Sequence, residues 1–558
     1  MAESTLERDK RRIEHLKLER TSFEAHWRDL AEYCLPRKGR FQLTDTNRGE
    51  KRHQKIINSV GLRSVRTISS GMMAGLTSPA RPWFRLTTHD QGLAERGDVK
   101  DWLHQVELRV REKFNRSNLY NILPGVYKEL AVFGTASMAQ LEDTEETFRF
   151  YPFTIGSYWL ALDHTLRPDT FARQLRMTAR QMVQQFGLKA VSQTVRDAYN
   201  TGRLEQPFDI MHYVTRNDER DAELVDNQNM PFRACYWEQA SSDTDRHLLT
   251  EGFNEFPILA ARWDVTGEDI YGSSPGMDAL GDLRAIQLQE KRKAQAIDKL
   301  VDPPMVADAS IRSNRPSLLP ASVTFVPGLQ NNGGFRPVYE IRPDIGAMME
   351  DIQAMEKRIE SAFYSDLFLL TAMSDRRDVT ATEIAERHEE KLMALGPVLE
   401  RLNDELFDPL MDRTMSIMFR SGQLPPAPAV LQGQELKVEY INMLSQSQKL
   451  IQSTGTERFF AFAAQLLTVA PESAAKVDFD QMLDEYANDV GVAPKIVRSD
   501  DDVAGLREAQ QQKQRAAEMA AMAKPMADGA QAMKTLAETV PQDGNMAASF
   551  AESMGGMV

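Results

Sequence analysis

The stretch from Tyr271 to Gly422 constrains this chain more than any other. Gly272-Ser273-Ser274-Pro275-Gly276 opens a helix. Ser274 suits the N-cap and Pro275 the first helical position, where a missing N–H loses no bond. Asp278 and Asp282 follow near the positive end of the helix dipole. Met277, Leu280, Leu283, Ile286, Ile297 and Leu300 form an apolar stripe at helical spacing, and Asp302-Pro303-Pro304 closes the run. At 1.5 Å per residue the rod is roughly 40 Å long.

A second helix begins near Pro343-Asp344. Ile345, Met348, Ile352, Met355, Ile359 and Phe363 step by three and four, a narrow stripe of the kind that packs on a neighbouring helix. This predicts a subunit-packing surface that lies bare on a lone chain. A short break follows from Leu370 to Asp378. Thr380-Ala381-Thr382-Glu383 then has the spacing of a capping box, with Thr380 and Glu383 bonding reciprocally. The third helix bends at Gly396-Pro397 and continues through Leu399, Leu402, Leu406, Leu410 and Met418, with a second irregularity expected at Pro409.

The composition of the 558-residue chain bounds the possibilities. Its length predicts three or four domains or one elongated, multi-part subunit. A net charge of −14 argues against a protein that grips nucleic acid over its whole surface, since such proteins concentrate lysine and arginine. Two cysteines, Cys34 and Cys235, make neither a disulfide framework nor a metal set, which points to a reducing compartment. The N-terminus is charged from Glu7 to Arg12 and reads as no cleavable signal. No apolar run is long enough to span a membrane.

Residues 4–34 read as one amphipathic helix with Leu6, Ile13, Leu16, Phe23, Trp27, Leu30 and Cys34 on one stripe. Arg8, Lys10, Arg11 and Arg12 sit among enough acids to be a solvated face. Residues 56–77 form a helix rich in small residues, Gly71 and Gly75 among them, which permits close helix approach. Trp83 and Phe84 read as buried anchors. Further helices are expected over Val99–Phe114 and from about Pro124 to Phe133. From Ala136 the pattern turns to β, with strands over 148–153, 158–162, 170–177, 208–215, 233–237, 247–251 and 257–263. Thr178-x-x-Gln181 is a capping box opening the first of two short helices between them. Leu424-Pro425-Pro426-Ala427-Pro428 reads as a stiff linker, 440–470 as helix, 503–538 as interrupted helix, and the rest as a weakly ordered tail. The fold class is α+β, predominantly helical.

Little of the chemistry of enzymes is present. Gly272-x-Ser274-x-Gly276 matches the nucleophile elbow of serine hydrolases, but Pro275 has no N–H to offer an oxyanion hole. There is no phosphate-binding G-x-x-x-x-G-K-[ST] loop. His388-Glu389-Glu390 lacks a second histidine at position 392, and Asp500-Asp501-Asp502 reads as a solvated acidic loop. No catalytic, cofactor-binding or metal residue is assigned.

In this order and spacing, four patches resemble the portal proteins, or head-to-tail connectors, of short-tailed bacteriophages. They are Trp27 with the Tyr33-x-x-Pro36 helix exit; Ser70-Gly71 through Leu76-Thr77-x-Pro79 to Pro82-Trp83-Phe84-x-Leu86; Tyr271-Gly272-Ser273-Ser274-Pro275; and Thr380-Ala381-Thr382-Glu383 with Leu395-Gly396-Pro397 and Asp408-Pro409-Leu410. Asp478-x-Asp480 and Gly491-Val492-x-Pro494 add to the likeness.

The resemblance implies a non-enzymatic ring of about twelve subunits at one capsid vertex, with a fold of wing, stem, clip and crown. By position, residues 1–270 would be the wing region, with its β-containing part at 136–263. Residues 271–301 and 343–365 would be the stem helices, 302–342 the clip, and 366–379 the tunnel loop. Residues 380–422 would be the long bent helix, 423–500 the wing and crown helical region, and 501–558 a C-terminal helix and tail. Implied partners are double-stranded DNA in weak contact, a packaging ATPase (terminase), tail adaptor proteins, and the major capsid and scaffolding proteins; no cofactor and no membrane is implied.

Charge agrees with a channel that lets DNA slide. Between 344 and 366 six acids face two bases, a net charge of −4 that ring symmetry would multiply into a repulsive wall. Glu350, Asp351, Glu356 and Lys357 are the channel candidates on this helix, and Asp375, Arg376, Arg377 and Asp378 those in the tunnel loop. The first stem helix carries five bases against four acids, and its basic cluster is expected to pair with the acidic helix of the next subunit. The alternatives are a serine hydrolase using Ser274 and a helical scaffold or adaptor that forms no ring.

Overall fold

The computed structural model describes residues 4–38, 51–94, 96–221, 247–301, 343–368, 395–431 and 433–441, most of 223–239, and shorter pieces elsewhere. The chain divides into two compact units. One comprises Met1–Thr87, Gln105–Pro426 and Leu436–Ile451; the other Thr88–His104, Ala427–Glu435 and Gln452–Val558. The tunnel-loop residues Asp375, Arg376, Arg377 and Asp378 and the Thr380–Glu383 capping box lie outside the described residues, as do most of 302–342, the acidic run 500–502 and nearly all of 442–502.

In the first unit, α1 (Thr5–Cys34) is capped by Ser4, whose hydroxyl accepts the Glu7 N–H at 3.3 Å. Its stripe is buried as the spacing predicts, except that Phe23 is only partly so; Asp9 and Arg20 are buried with it. That stripe covers one face of an antiparallel five-stranded sheet. The sheet is built from β4 (Tyr158–Leu162), β5 (Pro168–Thr178), β6 (Pro207–Arg216), β7 (Phe232–Glu238) and β8 (Leu249–Phe253), in that order. Leu6, Ile13 and Leu16 meet Trp159, Met211, Tyr213 and Trp237 there. Helices α6 (Ala179–Phe186) and α7 (Gln193–Asn200) cover the other face through Met182, Val195 and Ala198. The capping box at the start of α6 is formed in both directions: the Gln181 N–H donates to Thr178 Oγ1 at 3.3 Å and the Thr178 N–H to Gln181 Oε1 at 2.9 Å.

A three-stranded sheet joins β2 (Thr135–Asp143), β3 (Thr147–Phe153) and β9 (Ile258–Arg262), with β2 in the middle. The sequence reading placed no separate strand over 135–143. The first six residues of β2 are all buried, so the alternation that marks a half-exposed strand is missing. Helix α5 (Leu119–Phe133) starts five residues earlier than expected, with Pro124 inside it rather than at its start. Later in the chain, β10 (Leu436–Tyr440) pairs with β1 (Phe84–Thr88), where the sequence suggested no strand. Trp83 beside this pair is 2% exposed, packs its ring against Phe84, Phe114, Phe407 and Tyr440, and donates from Nε1 to Tyr120 Oη at 3.0 Å. It is the anchor the sequence suggested.

Small residues in α2 (Val60–Leu76) do permit close approach. A Cβ on Gly61 would lie 2.6 Å from Leu283, and one on Gly71 would overlap the ring of Phe368. The irregularity at Pro409 is a π turn at Asn403–Phe407, immediately before the helix Asp408–Arg420, α10 here. Pro409 has no N–H for the Glu405 carbonyl, and the Asp408 N–H reaches back to Asn403 instead.

In the second unit, α3 (Gln91–Ala94) is a single turn, and the helix α4 (Gly97–Arg116) begins here and runs into the first unit. Residues 503–517 are helical and almost wholly exposed. Among the described residues no helix is long and apolar enough to cross a membrane.

Candidate functional site

The two long helices of the organising stretch are α8 (Pro275–Val301) and α9 (Ile345–Ala362), and they pack on each other. Ser274 opens α8 as expected: its hydroxyl accepts the Met277 N–H at 3.1 Å and donates to the Val132 carbonyl at 2.7 Å. The side chain is 2% exposed and its proton is committed to Val132, so it is not placed to act as a nucleophile. Asp344 caps α9, accepting the Ala347 N–H at 3.0 Å. Asn58, from the loop before α2, ties the pair together. Its side-chain amide donates to Glu290 at 3.1 Å and Glu356 at 2.8 Å, while Gln287 of α8 accepts the Asn58 N–H at 2.8 Å. Arg358 of α9 closes an ion pair with Asp282 of α8 at 2.9 Å, and Arg284 pairs with Asp29 of α1.

The stripe on α9 requires a correction. It was expected to lie bare on a single chain, yet Ile352, Met355, Ile359 and Phe363 are 0–4% exposed within one copy. The reason is that α8 and α2 already occupy that face. Only Ile345 and Met348, toward the outer end, are partly exposed. Apolar surface remains instead on α8, at Leu288, Ile297, Leu300 and Val301.

Of the four channel candidates on α9, Glu350, Asp351 and Lys357 are exposed. Glu356 is half-buried between Asn58 and the guanidinium of Arg63 at 3.8 Å. The basic cluster of α8 is exposed at Lys291, Arg292 and Lys299, while Lys293 pairs with Glu290 at 2.6 Å along its own helix.

Several buried charges elsewhere in the same unit had no signal in the sequence. Arg262 of β9 forms an ion pair with Glu405 of the π turn at 2.6 Å, both side chains nearly inaccessible. Arg413 of α10 donates from Nε to the Gln140 carbonyl at 2.8 Å and pairs with Glu255 at 3.1 Å; burial pushes its guanidinium down to about 10. Cationic residues at intervals along an apolar stripe are the one hint such sites leave, and it does not name the partner.

Asp9, Cys235 and His247 bring donor atoms within 4.8 Å of one another. The guanidinium of Arg233 already sits there, 3.0 Å from Asp9 Oδ2 and 3.4 Å from Cys235 Sγ, supplying the positive charge a metal ion would bring. His247 Nε2 is 3.1 Å from the same carboxylate oxygen. Cys34 and Cys235 are both buried and unpaired in disulfides, and burial pushes the Cys34 thiol up to about 12.

Residues 7–497 match the family described as bacteriophage head to tail connecting protein. The chain is 44% identical to the portal protein of Salmonella phage epsilon15 over 556 residues, covering 100% of this chain and 99% of that one. It is 40% identical to the probable portal protein of Bordetella phage BPP-1, over 92% of this chain and 93% of that one. A chain from the virion of a native gene transfer agent particle aligns over 72% of this chain and 86% of its own, at 12% identity and a TM-score of 0.32, too low to bear on the fold. The resemblance drawn from four short patches therefore extends over nearly every residue, and the chain belongs to the bacteriophage head to tail connecting family, the portal proteins.

Proposed function

We propose that copies of this chain close into a ring of about twelve subunits at one capsid vertex, as the conduit for double-stranded DNA. The observation that carries this reading is the full-length likeness to phage portal proteins. The α8–α9 pair is its stem, residues 302–342 its clip toward tail adaptor proteins, 366–379 its tunnel loop, and the sheets between 136 and 263 part of its wing. The helical region 423–500 completes wing and crown. A packaging ATPase docks on the ring, and capsid and scaffolding proteins surround it.

The charge distribution supports a sliding contact with DNA. Six acids against two bases over 344–366 leave a net charge of −4 in each copy, and rotational symmetry repeats it around the bore. Few phosphates are neutralised, so few counterions are released and the grip stays weak. In the tunnel loop Arg376 and Arg377 are balanced by Asp375 and Asp378, which permits brief phosphate contacts. No observation favours hydrolysis by Ser274, whose hydroxyl serves as a helix cap.

Native mass measurement with negative-stain imaging tests the reading. Rings with a central hole are expected, and a monodisperse monomer at high concentration refutes it. Replacing Arg376 and Arg377 together by alanine leaves ring mass unchanged and lowers the DNA retained per particle, more so at high salt. An assembly defect with unchanged packaging per ring assigns those arginines to subunit contacts instead.

A further inference from the structure

The outer faces of α8 and α9 carry complementary features that no other described residue covers. Gly281, Ala285, Leu288 and Arg292 recur at intervals of four, three and four, so they share one face of α8. All four are exposed, and Leu288 is 48% exposed, an apolar side chain set between two small residues and a cation. On α9, Gly346, Glu350, Ala354, Lys357 and Ser361 share the face opposite the buried stripe, and all are exposed. Among the described residues neither Arg292 nor Glu350 has an ion-pair partner.

Contacts within the chain set the relative heights of the two helices. The Arg358–Asp282 pair puts residues 282 and 358 level. Asn58, bonded to both Glu290 and Glu356, puts 290 and 356 level. The helices are antiparallel, so these two ties place Arg292 at the height of residues 348–354, which include Glu350. The same ties place Leu288 at the height of 352–358, which include Ala354. Rotation about a ring axis running along the helices preserves height. A residue of α8 therefore meets, in the next copy, the residues of α9 that stand level with it in its own.

Resting on the ring reading, we infer that the outer face of α8 docks on the outer face of α9 of the next copy. In this joint Arg292 pairs with Glu350 and Leu288 sits over Ala354. Such a contact joins two different patches, the heterologous type that closes into rings. Gly281 and Ala285 on one side and Ala354 and Ser361 on the other let the helix axes approach toward the short end of the usual 8–10 Å range. Among the described residues a Cβ at Gly281 would meet nothing within 4 Å, which leaves space there for a partner. The joint assigns Glu350 to the contact between copies and leaves the channel wall to the remaining acids of α9.

Charge reversal tests the joint once wild-type rings have been seen. Arg292→Glu alone and Glu350→Arg alone are each expected to raise the protein concentration needed for rings at least about tenfold. The double reversal restores assembly. Thermal melting checks that each monomer stays folded, as exposed sites should allow. A chain carrying both Arg292→Cys and Glu350→Cys should give a ladder of covalent oligomers on oxidation, since the native cysteines are buried. Wild-type rings that survive both single reversals overturn the joint while sparing the ring reading. So does a double reversal that fails to rescue, or a cross-link confined within single chains. Absence of wild-type rings refutes the ring reading itself.

Discussion

Arg262 and Glu405 lie 143 residues apart in sequence, yet their side chains form a buried bidentate pair that fastens the edge of the three-stranded sheet to the π turn. Glu405 also accepts the Arg262 backbone N–H at 2.8 Å, and the guanidinium donates to the Leu166 and Asp269 carbonyls at 2.8 and 3.1 Å. Every strong donor of Arg262 thus has a partner, which is what makes two buried charges tolerable. The π turn forced by Pro409 places Glu405 in this position, so a break in helix regularity becomes an attachment point.

Glu405→Gln keeps the shape and removes the charge, stranding the Arg262 guanidinium in a dry site. The expected loss is about 3–5 kcal/mol of stability, measured by urea unfolding of the purified chain. Replacing both partners together with apolar residues of similar volume should be much less harmful. Equal losses for the single and double variants would mean that packing, not charge, holds the turn.

Asp9 holds the first turns of α1 to the five-stranded sheet. Burial alone would raise its carboxyl, but hydrogen bonds from His247 and Arg233 outweigh burial and hold it below the ordinary value of 3.8. A folded-state value lower than the unfolded one means the stabilisation is fully present above about pH 4. It is lost as the pH falls through the folded value. The wild type should therefore lose stability in that acid window more steeply than Asp9→Asn, which should already be less stable at pH 7. Melting temperatures from pH 7 down to pH 3 check this; parallel curves would refute it.

At Gly71 the backbone of α2 lies against Phe368, the third residue of the proposed tunnel loop. Even Gly71→Ala forces Phe368 to move, because the overlap involves its own Cβ as well as its ring. The expected destabilisation is about 1–3 kcal/mol. Phe368→Ala in the same chain should recover part of it in thermal melts. Full tolerance of Gly71→Ala would show that the helices adjust freely at this contact.

Features settled within a few residues can be read before the chain folds. Ser274 and the Thr178–Gln181 box act as caps because donor and acceptor stand three positions apart, whatever the surrounding fold. The periodic stripes of α1 and α9, the Leu280–Ile286 part of that of α8, and the burial of Trp83 and Phe84 were legible for a similar reason: apolar spacing reports that a face is covered, although Ile297 and Leu300, on the same spacing, stay exposed. Spacing does not report what covers a face. The stripe of Ile352, Met355 and Ile359 was real, but only the tertiary structure showed α8 and α2 of the same chain lying on it. The exposed apolar surface lies instead on α8, at Leu288, Ile297, Leu300 and Val301. The strand at 135–143 was hidden because burial on both faces erases alternation. The pairs Arg262–Glu405 and Asp9–Arg233, and Asn58 bridging two helices, depend on partners more than a hundred residues away. Their energies arise only when folding removes both groups from water together, and no local pattern records that.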